Sequence, residues 1–227
     1  MIELLDHMGS DVTVANVARV SLGRTVTEIG PSEQSLIDYL IRHQHTSPLR
    51  HCYATFHIVA PLFVLRQWGK HQVGCSWNEI SYRYVQFDAE RAGVWKPSIW
   101  REAAPGIKQG SGGQLPPDLT LEAELAYVEG CEAAANAYQR MIDAGVCREQ
   151  ARAILPQAVQ SEVIWTASLQ ALLHFLDLRL APDAQQEIRE YAQQVERIVF
   201  ELWPVTLGAW RRERGHGPCT PHNCLHH

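Results

Sequence analysis

No stretch of this sequence comes near the roughly 20 uncharged apolar residues that a bilayer-spanning helix requires. The opening segment MIELLDHMGSDVTV also lacks the basic-then-apolar pattern of a secretory signal. A cytoplasmic protein with no membrane partner is the expectation. Excess positive charge is missing too: 25 acidic residues face 20 basic ones, for a formal net charge of −5. That balance argues against a general electrostatic grip on nucleic-acid phosphates, so the expected partner is small, held at most by local basic patches. Six cysteines, at positions 52, 75, 131, 147, 219 and 224, keep no framework spacing. In a chain of this size with no leader they read as reduced thiols, and structural disulfides are not expected. No internal repeat is visible.

What is present is a chain of 227 residues, 46% hydrophobic and 20% charged, long enough to bury a substantial core. Apolar side chains at Leu36, Ile37, Leu40 and Ile41 mark an amphipathic helix that begins near Pro31 and Ser32. YATFHIVA, dense in β-branched and aromatic residues, predicts a strand, and Pro61 suits the first turn of a helix through LFVLRQW. Residues 97–117 hold four glycines and four prolines and read as a long mobile loop or lid. Beyond it, helices are expected over 121–145, over SEVIWTASLQALLHFLDLRL, and from about Asp183 to Leu202, where Pro204 stops the last one. The whole points to an α+β fold, a single domain over 1–210 followed by a tail over 211–227.

Three segments concentrate polar chemistry. RQWGKHQVGCSWNEISYRY places Arg66, Lys70, His71, Glu79, Ser81 and Arg83 around a turn containing Gly69 and Gly74. Arginine offers a planar fork for phosphate, serine a neutral donor and glutamate an acceptor, so an anionic ligand fits; a solvated turn laced with surface ion pairs fits equally. RHQHTSPLRH carries His43, His45 and His51, but without the paired spacing and partner residues of a zinc site, and no metal is expected. The turn reads either as facing a flavin or phosphate, or as an ordinary polar loop. ARAILPQ and the helix SLQALLHFLDLR form the third segment: Leu169, Leu172, Leu173 and Leu176 make a packing face, while Gln170, His174 and Asp177 recur along a second stripe. Arg152 and Arg179 flank that helix, and the latter equally complements its C-terminal dipole.

In order and spacing, these segments resemble the flavin-dependent thymidylate synthases over about residues 12–205. APLFVLRQW followed by SWNEISYRY resembles the family signature of Arg-His-Arg and a serine shortly after Asn-Glu. ARVS, HTSP, ARAILP, and HFLDLR with AQQEIREYA supply further matches. The resemblance implies a mixed α/β fold with a mixed sheet, a homotetramer whose active sites are shared between subunits, FAD as cofactor, methylenetetrahydrofolate as carbon donor, NADPH as reductant and a pyrimidine deoxynucleotide monophosphate as acceptor. Carried over position by position, Ser47, Arg50, Lys70, His71, Gln72, Glu79, Ser168, Gln170 and His174 are the flavin-binding candidates, with Ser21 a further one. Gln67, Glu79, Ser81, Arg83, Arg152 and Arg179 are the nucleotide-binding ones, to which Asp177 is added on its own chemistry rather than by the resemblance. Ser81 and Arg179 carry the catalytic roles, the serine orienting the base and the arginine favouring its anionic, activated form. No cysteine nucleophile is required.

The departures from the pattern lie at flavin-facing positions. Arg-His-Arg reads Lys70, His71, Gln72; a glutamate is Arg50; the asparagine and arginine of the late helix are Ser168 and Gln170. Lysine keeps a point charge but loses the bidentate fork. Asp177, two positions before Arg179, could accept from the exocyclic amine of cytosine, or face solvent or a neighbour. Three activities are therefore open: reductive methylation of dUMP to dTMP, hydroxymethylation of dCMP, and a flavin- or nucleotide-binding module without catalysis. The tail HGPCTPHNCLHH, rich in cysteine and histidine, reads as disorder with zinc as a minor alternative.

Overall fold

A computed structural model describes residues 1–88, 93–106 and 110–215. In chain order the elements are β1 (Ile2–Met8), α1 (Asp11–Arg19), α2 (Pro31–Arg42), β2 (Tyr53–Pro61), α3 (Leu62–Trp68), β3 (Cys75–Glu79), α4 (Pro117–Asp143), α5 (Arg148–Ala151), β4 (Gln160–Ser168), α6 (Leu169–Arg179), α7 (Gln186–Leu202) and α8 (Pro204–Glu213). Short 3-10 turns cover Val20–Leu22, Ser47–His51 and Arg152–Ile154. The chain divides into two compact units. One comprises Met1–Ile58, His71–Trp77 and the described part of Ile164–His227; the other comprises Val59–Lys70 and Asn78–Val163.

The strands hydrogen-bond in the order β1-β2-β4-β3. β1 runs antiparallel to β2, with Ile2 opposite Ile58, Met8 opposite Tyr53 and a register shift between Leu4 and Asp6. Between β2 and β4, Thr55 meets Thr166 at 2.9 Å and Leu62 N–H donates to the Val159 carbonyl at 2.9 Å, so one index rises as the other falls. The same holds between β3 and β4, where Ser168 pairs with Gly74 and Ile80 with Glu162. The sheet is thus antiparallel, not mixed. β2 alternates as a half-buried strand should, with Ala54, Phe56, Ile58 and Ala60 all fully buried.

Residues 161–168, expected to open a helix, form β4. Ser161, Val163, Trp165 and Ala167 are buried while Glu162 and Ile164 are exposed, a two-residue period that a helix cannot satisfy. Apolar content hid that period, because Ile164 places a hydrophobic side chain on the open face. β1, α1 and β3 lie where no regular element was expected. Pro204 ends α7 as expected but also opens α8, since a proline at the first helical position gives up an N–H that has no partner there. α8 reaches Glu213, and residues 216–227, which hold the rest of the Cys/His tail, lie outside the described residues.

In the first unit, the Trp165 ring lies 5.7 Å from Phe56 and 5.3 Å from Phe175, joining the sheet face to α6. In the second, Tyr82, Phe87, Tyr138, Ala151, Leu155 and Val159 form a separate core, with Phe87 edge-on to both tyrosines at 5.7 Å. Each ring buried this way contributes about 1.5–3 kcal/mol. Tyr138 is the buried residue of the long α4, whose Leu121 and Leu125 stand 59% and 61% exposed. The glycine- and proline-rich stretch is not featureless: Arg101 bridges Gln114, and Leu115 N–H donates to the Trp100 carbonyl at 2.8 Å. Among the described residues no helix is long and apolar enough to cross a membrane.

Asp11 joins the two ends of the first unit. Buried at the start of α1, its carboxylate accepts the Val205 and Thr206 N–H groups at 2.9 Å each and the Thr206 hydroxyl at 2.6 Å. Those amides belong to the first turn of α8, whose N-cap, Trp203, has no side-chain oxygen to offer. Replacing Asp11→Ala strands them and removes charge-assisted bonds, so chemical denaturation should show a loss of about 2–4 kcal/mol; a loss below about 0.5 kcal/mol would show that α8 does not depend on this cap.

Candidate active site

The site is organised by the junction where β4 becomes α6. Ser168 has extended φ/ψ and caps the helix, its Oγ accepting from Ala171 N–H at 3.2 Å. Its own N–H donates to the Gly74 carbonyl at 2.9 Å. Gly74 sits at φ +75°, and a Cβ there would lie 2.8 Å from Ser168 Oγ. Only glycine meets both demands, the left-handed backbone and the close approach. The turn after His71 is thereby docked on the start of α6. Ser168, expected at a flavin, is only 2% exposed and is the helix cap.

From this anchored end, α6 presents the two faces expected of it. Leu169, Leu172, Leu173 and Leu176 are buried. Gln170, His174 and Asp177 line one cleft of about 230 Å³ together with Thr46 and Leu49 from the histidine-bearing turn. Ser47 and Arg50, exposed, belong to that same turn. Leu40, Ile41 and Gln44 line the cleft from α2 and its end, and one further wall was not legible in the sequence: Trp210 and Arg214 line it from α8 and its end, in a stretch carrying no motif. Arg214 donates from Nε and Nη2 to the two carboxylate oxygens of Asp177 at 2.7 and 2.8 Å. Asp177 thus holds a neighbour through a bidentate pair.

The sharpest contact links the signature turn to the far end of α6. Arg179 Nε donates to His71 Nε2 at 2.9 Å, while the His71 ring packs edge-on against Phe175 at 5.0 Å and His174 at 5.8 Å. Burial, helped by the Arg179 charge and by His174, pulls the His71 pKa down to about 4 from 6.5. The imidazole is therefore neutral at pH 7, and accepting at Nε2 assigns its proton to Nδ1. Burial also lowers the Arg179 pKa. Gln72, next in the chain, is exposed, as is Lys70.

The second unit holds the other group. Ser81 Oγ accepts from Arg83 at both its backbone N–H and its Nε, each at 3.3 Å, and the guanidinium lies 5.0 Å from the Tyr84 ring. Ser81 also closes the turn, its carbonyl accepting from Tyr84 and Val85 N–H. Glu79, at the end of β3, accepts from Ser161 Oγ at 2.8 Å. Gln67 lies on α3, and Arg152, exposed, opens the turn after α5. Cys75, inside the signature, has its thiol pushed up by burial, which leaves little thiolate for nucleophilic work. Among the described residues no cluster of three or more His, Cys, Asp or Glu is set to hold a metal ion.

Because the His71 value in the folded chain lies below its ordinary 6.5, the unfolded chain takes up that proton first as pH falls. The His71 contribution to native stability should therefore decline as pH falls from about 6.5 to about 4 and be constant above about 6.5. Replacing His71→Gln should reduce the decline. Nitrogen NMR should report a neutral Nδ1–H ring at pH 7; an Nε2–H ring would refute the assignment.

Residues 3–205 match the thymidylate synthase complementing protein family. The chain is 42% identical over 212 residues to the flavin-dependent thymidylate synthase of Thermus thermophilus, covering 92% of this chain and 74% of that one. It is 37% identical to the enzyme of that name from Kosmotoga olearia, over 92% and 89% of the two chains. Among solved structures, a UMP/dUMP methylase, PolB of Streptomyces cacaoi, bound with 5-bromo-UMP, superposes with a TM-score of 0.83 at 32% identity over 96% of both chains. A second structure of that protein, bound with 5-bromo-dUMP, gives the same TM-score at 33% identity over 97% of both. With likeness on this scale in both sequence and backbone, the chain belongs to the family of flavin-dependent thymidylate synthases.

Proposed function

We propose that this enzyme uses a flavin to convert dUMP to dTMP, taking a one-carbon unit from methylenetetrahydrofolate and reducing equivalents from NADPH, as a homotetramer. The observation that carries the reading is the likeness to a UMP/dUMP methylase over 96% of both chains, alongside relatives that bear the flavin-dependent synthase name.

The donor chemistry fits a flavin. An isoalloxazine needs a flat, largely dry wall with hydrogen-bonding groups at its edges. The half-buried neutral His71 imidazole and the Gln170 amide, which lines the cleft, are groups of that kind. When bound, the reduced flavin supplies the hydride that completes the methyl group. The reading assigns Ser47, Arg50, Lys70, His71, Gln72, Glu79, Gln170 and His174 to the flavin, with Ser168 supporting it as the cap of α6.

Gln67, Glu79, Ser81, Arg83 and Arg152 are assigned to the nucleotide. Arg83, its Nε already turned to Ser81, retains its Nη donors for phosphate oxygens. Glu79, oriented by Ser161, offers an acceptor to the N–H or ribose hydroxyl of a nucleotide. Arg179 faces the pyrimidine and stabilises the negative charge that develops as the ring is activated. The Asp177 carboxylate, occupied by Arg214, is a poor reader of a cytosine amine. Hydroxymethylation of dCMP is accordingly not favoured. For the assembly, the exposed apolar positions Leu121, Leu125 and Val128, one stripe of α4, supply a surface of the kind that subunits bury.

Anaerobic incubation with dUMP, methylenetetrahydrofolate and NADPH should yield dTMP; no dTMP alongside conversion of dCMP would reject the reading. Replacing Arg83→Ala should weaken dUMP binding by about tenfold or more, by loss of a charge-assisted phosphate contact. Unchanged affinity would remove Arg83 from the phosphate site.

A further inference from the structure

We infer that His71 serves as the positioning residue for Arg179: its neutral Nε2 fixes the guanidinium in the orientation that meets the pyrimidine. The role rests on the proposed function only in placing a pyrimidine against Arg179; the contact itself is independent of that reading.

Three observations converge on it. Arg179 stands at the last turn of α6, where a long, flexible side chain would sample many rotamers unless something held it. The 2.9 Å bond from Nε to His71 Nε2 is such a hold, and it grips the guanidinium at the nitrogen nearest the stem, which sets the plane of the whole group. His71 is itself fixed on two sides: its ring packs on Phe175 and His174, while three residues later Gly74 is docked on Ser168 at the opposite end of α6. The helix thus braces the turn at its N-terminus, and the turn steadies the arginine at its C-terminus.

Charge explains why an imidazole serves here. A carboxylate in this place would neutralise the cation that the reaction needs, whereas a neutral nitrogen acceptor orients it and leaves its charge intact. An imidazolium would repel Arg179 and lose the acceptor lone pair. The burial that keeps His71 neutral therefore maintains the contact, and the position tolerates side chains that accept a hydrogen bond without carrying charge.

The experiment compares wild-type, His71→Leu, His71→Gln, Arg179→Ala and the His71→Leu/Arg179→Ala double variant as flavin-loaded proteins, with flavin content recorded and dUMP affinity measured by calorimetry. His71→Leu should weaken dUMP binding roughly tenfold or more, and His71→Gln, which restores an uncharged acceptor, should recover most of that loss. In the Arg179→Ala background His71→Leu should cost much less than it does in the wild type, since the coupled pair is already broken and only the contact of His71 with the flavin is left to lose. In ligand-free protein, the Arg179 Nε–H NMR signal, assigned by its disappearance in Arg179→Ala, should be protected from exchange in the wild type and lose that protection in His71→Leu. Additive losses, no recovery in His71→Gln, or an Arg179 signal indifferent to His71 would each overturn the role. A wild type that binds no dUMP would overturn the substrate reading and this role with it; wild-type binding with equal affinity in His71→Leu overturns this role alone.

Discussion

The close approach of Gly74 to Ser168 is the constraint on which the first unit's chemistry depends. With a glycine at positive φ and no Cβ, the signature turn can lie against the first turn of α6, where Ser168 both caps the helix and pairs with the turn through its N–H. Everything α6 displays is then placed relative to that turn by helical geometry: Gln170, His174 and Asp177 along one stripe, Arg179 two positions beyond the last of them, and the leucines beneath. A polar site can afford little free motion, and here the rigidity comes from strand, cap and helix in series.

The electrostatics follow from partial burial. His71 is held neutral and Arg179 is held less easily protonated than in water, both because the surroundings solvate charge poorly. In such surroundings a fixed cation acts strongly on a developing negative charge, and a neutral neighbour leaves that effect undiminished. Elsewhere the chain uses opposite pairing where charge is structural, as between Asp177 and Arg214. The same kind of contrast sets Asp11 apart, whose carboxylate meets backbone amides and a hydroxyl at the start of α8.

The two-faced pattern of α6 was legible because it lies in one short, ordered segment. The leucine face of α6 and the polar stripe beside it both appear in the structure, whereas the bond between Ser81 and Arg83 was not foreseen. What escaped had weak or misleading local signals. β4 looked helical because Ile164 is apolar on the exposed face, and burial, not composition, reveals its alternation. Arg214 comes to Asp177 across 37 positions, a distance no local pattern encodes. Ser168 was read as a ligand contact because serine at that position is consistent with binding and with capping alike; backbone context decides in favour of the cap.

On the proposed function, the turn at His71 and the helix ending at Arg179 together receive a flavin and a uracil nucleotide. A crystal structure of the flavin-loaded protein with 5-bromo-dUMP tests it most directly, since anomalous scattering from bromine locates C5 of the base without ambiguity. Bromine density is expected beside the isoalloxazine, with Arg179 in hydrogen-bonding contact with the pyrimidine and its Nε still on His71. Bromine found remote from Arg179, with the flavin bound away from His71 and α6, would contradict it.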